Sequence, residues 1–534
     1  LSAVAAGDGY VAGKVKVSGT GVGVQNDLAV YYVAPGQEPQ LALREGDPIP
    51  GVTESALLQE LNEILLDDSG TLYIRGYVQV PGESELLYFV IKGTPGAWEL
   101  LAITGQSYGA DRKMTGIGVI AINHSGDLIM FGTTELVEPV NNSRMNFGHI
   151  WKERPEPGEN EILATEKVGY GFLGSGEVFK GFDEIAINDL GTIFVSCSIN
   201  FEKAFVVGSG NNFSVIARQN SPAPDGNIYD NVPLSGNFSY FPGDKDAFGI
   251  KAWVDIEDPD RKQFNERLFV YQNGGTTVSH TYEEGKSYTG IGGEMIDSVQ
   301  SISVYSDRHF LRGITEGKTG YWLVDSQVQK IAAVGDSPAY SPDGVFSAVG
   351  GPFIGRTGQI AYQATAASFP GVYVQGVDGE FAMAAGRNVE VRLKNDQIRA
   401  LVRGYTMGNS SAMDGRFPIV VWALGSITHI AMVDPNQLGQ PSPGISGKVF
   451  EDADYSGDLS EDDRGLPNVE VELFLDDGTG GEAIRSQFTL TDGSYAFDEL
   501  QDGNYLVRIT PMEDYTPTWD TTDPLDDGLI SVAY

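Results

Sequence analysis

The first 433 residues repeat one pattern, in which a turn of small and polar residues precedes a strand of alternating apolar and polar residues. Aspartate or asparagine closes such a turn through its side chain, and glycine accepts the positive φ that a tight turn needs. The spacing, roughly 50 to 65 residues, is typical of propellers and solenoids. The eight copies begin at Gly7, Asp67, Asn123, Asn188, Asp244, Ser306, Gly355 and Met413.

A second motif follows most copies after an intervening strand. In its fullest form an apolar strand ends in Gly-Asp-x-Pro. Because proline cannot donate a hydrogen bond to a strand ladder, the chain is expected to leave its sheet there. Full and degenerate forms occupy 41–50, 101–105, 215–224, 331–338 and 383–386.

Each repeat therefore predicts about four short strands and almost no helix. Only Glu54–Ile64 has helical spacing, and it also fits a strand with its lead-in. Four-stranded units repeated in this way close into a β-propeller. Eight copies of the first motif favour eight blades, and the smaller number of second motifs leaves seven open. The last repeat lacks outer strands, so the N-terminal segment is a candidate to complete that blade.

The ordered recurrence resembles a family of secreted bacterial repeat proteins. Units of that family read approximately Asn-Asp-x-Gly-x-x-Ala-Phe, followed by Gly-Asp-x-x-Pro. The resemblance covers about residues 1–433, although the copies at Asp244 and Ser306 depart from it. It implies a fold and a secreted location, and it assigns no activity.

A Pro- and Gly-rich linker at 434–443 separates the propeller from a small domain at 444–534. This domain opens with an acidic segment in which Asp452, Asp454, Ser456 and Asp458 alternate, and Asp463 stands at the twelfth position. Such alternation matches the start of an EF-hand-type loop and supplies the oxygens that a hard cation needs. The flanking segments have strand patterns, so a helix-loop-helix EF-hand is not expected.

Together with Gly-Leu-Pro-Asn-Val at 465–469 and the later Asp-Gly turns, this segment resembles the SdrD B-like, or Cna B-type, repeat of bacterial surface proteins. The resemblance implies a prealbumin-like β-sandwich with calcium as its cofactor. The implied calcium ligands are Asp452, Asp454, Ser456, Asp458 and Asp463. Asp476, Asp477 and Asp492 form a candidate second site. Some relatives carry Lys–Asn isopeptide bonds, and Lys448 with Asn504 is the pair to examine here, although ordinary surface roles are expected.

Charge and composition narrow the classes of partner and the locations that the chain can have. The formal net charge is −38, which repels phosphate backbones and makes nucleic acid an unsuitable partner. No apolar run is long enough for a transmembrane helix. The start at Leu1 without methionine suits a mature chain after removal of a signal peptide. Cys197 lies in an apolar run and is expected to be a small buried side chain.

No recognisable catalytic constellation stands out. Histidines lack metal-ligand spacing, and neither a Gly-x-Ser-x-Gly elbow nor a P-loop occurs. The sequence therefore predicts no catalytic and no cofactor-binding residue. His124 and His309 fall in repeat turns, and hairpin roles are expected for both. Turn stabilisation is likewise expected for Asp47, Asp336, Asn123 and Asn188. Glycosylation sequons begin at Asn123, Asn141, Asn212, Asn237 and Asn409.

These observations favour a non-enzymatic, extracellular or cell-surface structural or adhesive protein of bacteria, stiffened by calcium. Rigid β domains also suit self-association into a layer or filament, or association with other surface proteins. Two alternatives stay open: a propeller that binds a glycan or protein ligand, and a hydrolase or lyase with its site in the propeller.

Overall fold

The computed structural model divides the chain into two compact units. The first comprises Leu1–Val391 and Ala400–Leu438, and the second comprises Arg392–Arg399 and Gly439–Tyr534. The predicted linker at 434–443 lies outside the described residues, so the predicted domain boundaries stay predictions. The structure describes residues 2–5, 9–17, 22–23, 26–52, 56–82, 84–108, 111–137, 146–152, 162–209, 212–231, 247–255, 265–272, 277–284, 286–287, 295–305, 308–325, 328–337, 345–354, 359–366, 369–375, 381–385, 390–392, 399–407, 417–423, 428–433, 444–451, 463–475, 483–489, 493–498, 504–510 and 529–533.

Every regular element in these ranges is a β-strand, and the strands of the first unit form eight antiparallel sheets, or blades. Blade 1 contains β1 (Ser2–Ala5), β2 (Val11–Lys16), β3 (Leu28–Val33) and β4 (Gln40–Arg44). Blade 2 contains β5 (Leu57–Leu66), β6 (Leu72–Gln79), β7 (Leu86–Thr94) and β8 (Ala97–Ile103). Blade 3 contains β9 (Ser107–Tyr108), β10 (Arg112–Ile122), β11 (Leu128–Leu136), β12 (Asn146–Lys152) and β13 (Ile162–Thr165). Blade 4 contains β14 (Phe179–Ile187), β15 (Ile193–Ile199), β16 (Glu202–Ser209) and β17 (Asn212–Arg218).

The second half of the unit continues the same plan. Blade 5 contains β18 (Ile228–Asn231), β19 (Phe248–Asp255), β20 (Asn265–Gln272) and β21 (Thr277–Glu283). Blade 6 contains β22 (Lys286–Ser287), β23 (Met295–Tyr305), β24 (Arg308–Thr315), β25 (Lys318–Val324) and β26 (Val328–Ala333). Blade 7 contains β27 (Phe346–Ile354), β28 (Ile360–Ala366), β29 (Phe369–Gln375) and β30 (Phe381–Ala385). Blade 8 contains β31 (Glu390–Arg392), β32 (Arg399–Met407), β33 (Phe417–Ala423) and β34 (Thr428–Val433).

Blade 1 contacts both neighbours expected in a closed ring. Its strand β1 lies against β33 of blade 8 and against β5 of blade 2. The predicted all-β propeller is therefore confirmed, with eight blades. The expectation that the N-terminal segment completes the last blade is wrong, because β1 pairs with β2 inside blade 1 and blade 8 has four strands of its own. The segment with helical spacing is strand β5.

A structural irregularity repeats with the blades. In blades 1 to 7 the pairing between the last two strands of the blade shifts register once, at an equivalent place. Such shifts are β-bulges, which bend a strand and increase its twist. They fall at Val30/Tyr31, Val90/Ile91, Ile150/Trp151, Phe205/Val206, Val270/Tyr271, Tyr321/Trp322 and Val372/Tyr373.

Apolar layers between blades form the core of the first unit. Between blades 4 and 5, the rings of Phe194 and Phe248 are 4.9 Å apart and those of Phe248 and Tyr271 are 5.2 Å apart. Aromatic residues thus pack in the layer between these blades. Cys197 is fully buried on β15, and burial raises the pKa of its thiol, so this cysteine is a core side chain.

The second unit is a small β-sandwich. Strands β35 (Gly444–Lys448) and β40 (Ser494–Asp498) form one pair, and β36 (Phe450–Glu451) and β37 (Arg464–Gly465) form another. Strands β38 (Glu470–Leu475), β39 (Arg485–Phe488), β41 (Asn504–Ile509) and β42 (Leu529–Ala533) form a sheet in the order β39-β38-β41-β42. Alternate residues of the β35–β40 pair and of the four-stranded sheet meet in one core. Its members are Ile445, Val471, Leu473, Tyr495, Phe497, Tyr505 and Val507. The predicted sandwich is confirmed.

Candidate metal site

The acidic segment of the second unit is a loop whose two ends are joined by backbone pairing. Phe450 pairs with Gly465 and Glu451 pairs with Arg464, antiparallel, on either side of 452–463. The pairing therefore brings the two ends of this twelve-residue segment together. Strands flank the loop on both sides, as the sequence predicts.

A close backbone junction lies beneath this closing pair. Gly493 accepts a hydrogen bond from the backbone N–H of Val449 (2.8 Å), and Val449 accepts one from Leu466 (2.9 Å). Gly493 has φ +83°, and a Cβ there would lie 2.2 Å from the carbonyl oxygen of Val449 and 2.8 Å from Cα of Gly465. Only glycine fits this position, because any side chain would separate the strands that close the loop.

Thr489 holds the turn that follows the loop. Its buried hydroxyl donates to the carbonyl of Leu466 (2.6 Å) and accepts from the backbone N–H of Val469 (3.0 Å). Asn468 between them has φ +58°, a left-handed conformation that asparagine tolerates better than most residues. Hydrogen bonds therefore tie the residues on both sides of the loop to the sandwich. The hydroxyl of Thr489, which is buried, makes two of these bonds.

Of the predicted calcium ligands, Asp452, Asp454, Ser456 and Asp458 lie outside the described residues. Asp463 is described, half-buried, immediately before β37. Within the described ranges, no group of three or more His, Cys, Asp or Glu side chains could hold a metal. The calcium assignment stays a prediction.

The other candidates in this unit have different outcomes. Asp476, Asp477 and Asp492 lie outside the described residues. Lys448 and Asn504 are both exposed and lie on separate sheets, Lys448 on β35 and Asn504 on β41. The ordinary surface role expected for this pair agrees with their exposure.

In the first unit, the asparagines of the repeat motif close their own turns. The side-chain oxygen of Asn188 accepts the backbone N–H groups of Leu190 (3.0 Å) and Thr192 (2.7 Å). The side-chain oxygen of Asn123 accepts a hydrogen bond from the backbone N–H of Asp127 (2.8 Å). A carboxylate oxygen of Asp67 accepts one from the backbone N–H of Thr71 (2.8 Å). The predicted turn role is confirmed at these positions, and the 1% exposure of Asn123 leaves no room for a glycan in the folded chain.

These turns also bind one another across blades. The backbone N–H of Asp68 donates to the carbonyl of His124 (2.9 Å), and that of His124 donates to a carboxylate oxygen of Asp189 (3.0 Å). The side-chain amide of Asn123 donates to the carbonyl of Asn188 (3.2 Å). Equivalent turns of blades 2, 3 and 4 thus form one hydrogen-bonded row.

The second motif links blade 1 to blade 2 and blade 6 to blade 7. The backbone N–H of Gly46 donates to the carbonyl of Leu58 (2.8 Å), and the backbone N–H of Leu58 donates to the carbonyl of Asp47 (2.9 Å). Gly335 and Asp336 make the same two bonds to Phe346, both 2.8 Å. The outer strand therefore ends where the chain crosses to the first strand of the next blade. Asp336 also accepts the backbone N–H of Ala333 (2.8 Å), as a turn residue does.

His124 occupies a repeat turn as predicted, but the hairpin role expected of His309 is wrong. His309 is fully buried on strand β24, where its Nδ1 lies 2.8 Å from the hydroxyl of Tyr282 in blade 5. The nearby turn residues 306–307 lie outside the described ranges. The alternation of His309 with Leu311 places it on a core face, a signal that the turn alignment hides.

Comparison with protein families finds one matching segment in each of the two units. Residues 444–528 match the family described as SdrD B-like domain. Residues 2–229 match a family of unknown function, DUF7453. Serine-aspartate repeat-containing protein D of Staphylococcus aureus strain Newman is 34% identical over 79 residues, covering 15% of this chain and 6% of that protein. Serine-aspartate repeat-containing protein F of Staphylococcus epidermidis strain ATCC 12228 is 31% identical over 107 residues, covering 20% and 6%. The chain therefore spans a small fraction of these relatives.

Solved structures similar to the chain contain propellers. A prolyl endopeptidase has 13% identity and a TM-score of 0.41, covering 79% of this chain and 55% of that one. The β-propeller domain of the Trilobed protease from Pyrococcus furiosus has 10% identity and a TM-score of 0.38, covering 73% and 98%. An acylaminoacyl peptidase from Pyrococcus horikoshii has 9% identity and a TM-score of 0.37, covering 79% and 57%.

The prediction that the chain is not an enzyme is wrong, because these propeller-containing neighbours include peptidases. That prediction rested on the absence of a recognisable catalytic constellation in the sequence, such as a Gly-x-Ser-x-Gly elbow or a P-loop. The correction removes the exclusion and assigns no reaction, since such distant likeness concerns the fold alone. Among the described residues, no helix is long and apolar enough to cross a membrane.

Proposed function

Residues 444–528 form an SdrD B-like domain, and from this premise we propose that the chain is a structural or adhesive protein of the bacterial cell surface whose C-terminal domain is stiffened by calcium. The similarity to staphylococcal serine-aspartate repeat proteins supports the surface location. Labelling of intact cells with an antibody to the chain measures that location. Signal found only after lysis contradicts it.

The observation that carries the calcium proposal is the closed acidic loop. Strands β36 and β37 bring its ends together, and the loop between them holds Asp452, Asp454, Ser456, Asp458 and Asp463. Carboxylates concentrated in one loop repel each other, and a divalent cation removes that repulsion. From Gly444 onward the chain has 22 acidic and only four basic residues. There are therefore too few cationic side chains to offset the repulsion.

Calcium would act mechanically in this proposal. The closing pair and the Thr489 turn anchor the loop to both sides of the sandwich. A cation that fixes the loop also fixes the relative position of its two strands, so the folded domain gains the binding free energy. Calcium at one hundred times its dissociation constant contributes about 2.7 kcal/mol to folding.

The test compares thermal unfolding of the full chain in calcium and in EDTA, with hydrogen exchange of 470–475 and 505–509 reporting on the second unit. We expect EDTA to lower the unfolding temperature of that unit by several degrees and Asp458→Asn to reproduce the loss in calcium. Glu470→Gln is the matched control, since it removes one charge from a strand of the same sandwich. If EDTA leaves the unfolding temperature of the second unit unchanged, the proposed calcium site is wrong.

Self-association belongs to the same proposal. The edge strand β39 exposes Phe488 by 60%, and Ile484 beside it by 51%. Unprotected edge strands with apolar side chains are surfaces on which further strands pair. A second copy of the chain is the proposed partner.

A further inference from the structure

Two histidines meet at the interface between blades 5 and 6. His280 lies on β21, the last strand of blade 5, and His309 lies on β24 of blade 6. Their ring centroids are 4.6 Å apart and the rings are nearly perpendicular, at 86°. His309 is fully buried and His280 is half-buried. The hydroxyl of Tyr282 lies 2.8 Å from Nδ1 of His309, so three polar rings from two blades form one cluster.

Apolar residues surround this cluster in the strand register. Val270 pairs with His280, Leu268 pairs with Tyr282, and His309 lies between Val304 and Val324. The residues paired with the histidines, together with Leu268 and Tyr282, belong to the apolar layer that joins the two blades. The imidazoles are therefore placed in a medium that disfavours a charge.

Charged groups on the same strand faces lie farther along. In blade 5 they are Glu266 and Glu284, which follow beyond the Leu268–Tyr282 pair, and Lys251, which pairs with Leu268 and is ion-paired with Glu266. In blade 6 Lys318 stands at the opposite end of β25 from His309, and Lys330 on β26 pairs with Trp322. Arg267, Glu283, Arg308 and Arg312 lie on the other faces of their strands by alternation. The residues registered opposite the two imidazoles are Val270, Val304 and Val324.

We propose that His280 and His309 make the interface between blades 5 and 6 an acid-sensitive seam, closed while both imidazoles are neutral and loosened when one is protonated. A protonated ring carries an N–H on both nitrogens, and the buried Nδ1 of His280 has no hydrogen-bond acceptor within the described part of the chain. The second imidazole, 4.6 Å away, would repel a further proton.

The direction of the pH effect follows from linkage. Burial lowers the pKa of His280 below its ordinary value, so the open interface binds a proton more readily than the closed one. The seam is therefore stable above the ordinary histidine pKa of about 6.5 and weakens as pH falls below it. The layer between blades 4 and 5 places Phe194 and Phe248 at its centre, so the same acidification leaves it closed.

The test is hydrogen exchange of the full chain at about pH 7.5 and about pH 5, corrected for intrinsic rates. We expect amides in 277–283 and 308–311 to exchange about tenfold faster at the lower pH, with 193–199 in blade 4 unchanged as the internal control. Equal corrected rates in 277–283 at both pH values overturn the proposal.

Two variants separate charge from packing. His280→Phe keeps an aromatic ring that cannot be protonated and is expected to abolish the acid response. Tyr282→Phe removes the hydroxyl beside His309 but keeps both imidazoles, and is expected to retain the response. An acid response of wild-type size in His280→Phe overturns the proposal. If that variant does not fold, the same comparison with His280→Gln decides.

Discussion

His149 shows how a single buried side chain fixes the charge state that the folded chain accepts. Its Nε2 lies 2.9 Å from the hydroxyl of Thr134 and its Nδ1 lies 3.1 Å from that of Thr165. Burial, together with the nearby Arg112, lowers the pKa of His149 to about 4. The neutral ring is thus the folded form, although the sequence offers no signal beyond a histidine on an apolar strand.

This pKa predicts a pH dependence of stability. Between pH 6.5 and about 4 the unfolded chain binds a proton that the folded chain excludes, so stability is complete above this window and falls as pH decreases through it. The loss attributable to His149 is about 3 kcal/mol. Urea midpoints of the first unit at several pH values measure it, and His149→Gln is expected to flatten the curve. An unchanged slope in that variant contradicts the assignment.

Predictability at the residue scale depends on where the determinant lies. Asn123 and Asn188 were predictable, because an asparagine turn is local in sequence. His309 was not, because its role is set by Tyr282 and His280, which reach it from another blade. Gly493 is a similar case: its Asp-Gly turn is visible, but the close approach of Val449 is not.

At the scale of elements, the glycine of the repeat turn allows a matched comparison. Gly126 and Gly191 occupy the same turn position in blades 3 and 4, with φ of +86° and +76°. A Cβ on Gly126 would lie 2.6 Å from a carboxylate oxygen of Asp67 and 2.8 Å from the hydroxyl of Tyr73, whereas one on Gly191 has nothing within 4 Å.

Alanine at Gly191 is therefore expected to cost about 1 kcal/mol, for the left-handed backbone alone. Alanine at Gly126 should cost about 2 kcal/mol more, because it also disturbs the contact between blades 2 and 3. Denaturant unfolding of the two variants measures the difference. Equal losses would show that the row of turns contributes nothing to blade packing.

The bulges mark the limit of prediction for elements. Strand positions follow from alternating apolar residues and turn motifs, which are local. A bulge such as Val90/Ile91 lies inside an ordinary apolar run and has no residue signature. Its recurrence in seven blades indicates that neighbouring blades impose the twist, which a single strand cannot reveal.

At the scale of the whole molecule, net charge and exposed strand edges oppose each other. The charge of −38 keeps copies apart, while edge strand β39 offers them a pairing surface. Cations screen the repulsion and leave the edge unchanged. Association should therefore increase with added salt and calcium.

Sedimentation velocity in low salt and in physiological salt with calcium tests this expectation. We expect a larger species in the second condition and its loss in Ile484→Lys, which places a charge on the edge. Leu190→Lys is the control, because Leu190 is 59% exposed but lies in a turn. A monomer in every condition contradicts self-association.

Sequence alone determined the repeat, the all-β class, the sandwich and the acidic loop, because turns, strand alternation and ligand spacing are local patterns. Tertiary structure decided the completeness of blade 8, the closure of the ring by β1 and β33, and the meeting of His280 with His309. Each of these depends on strands far apart in the chain. Their contacts are set by the packing of one blade against the next, which no segment encodes by itself.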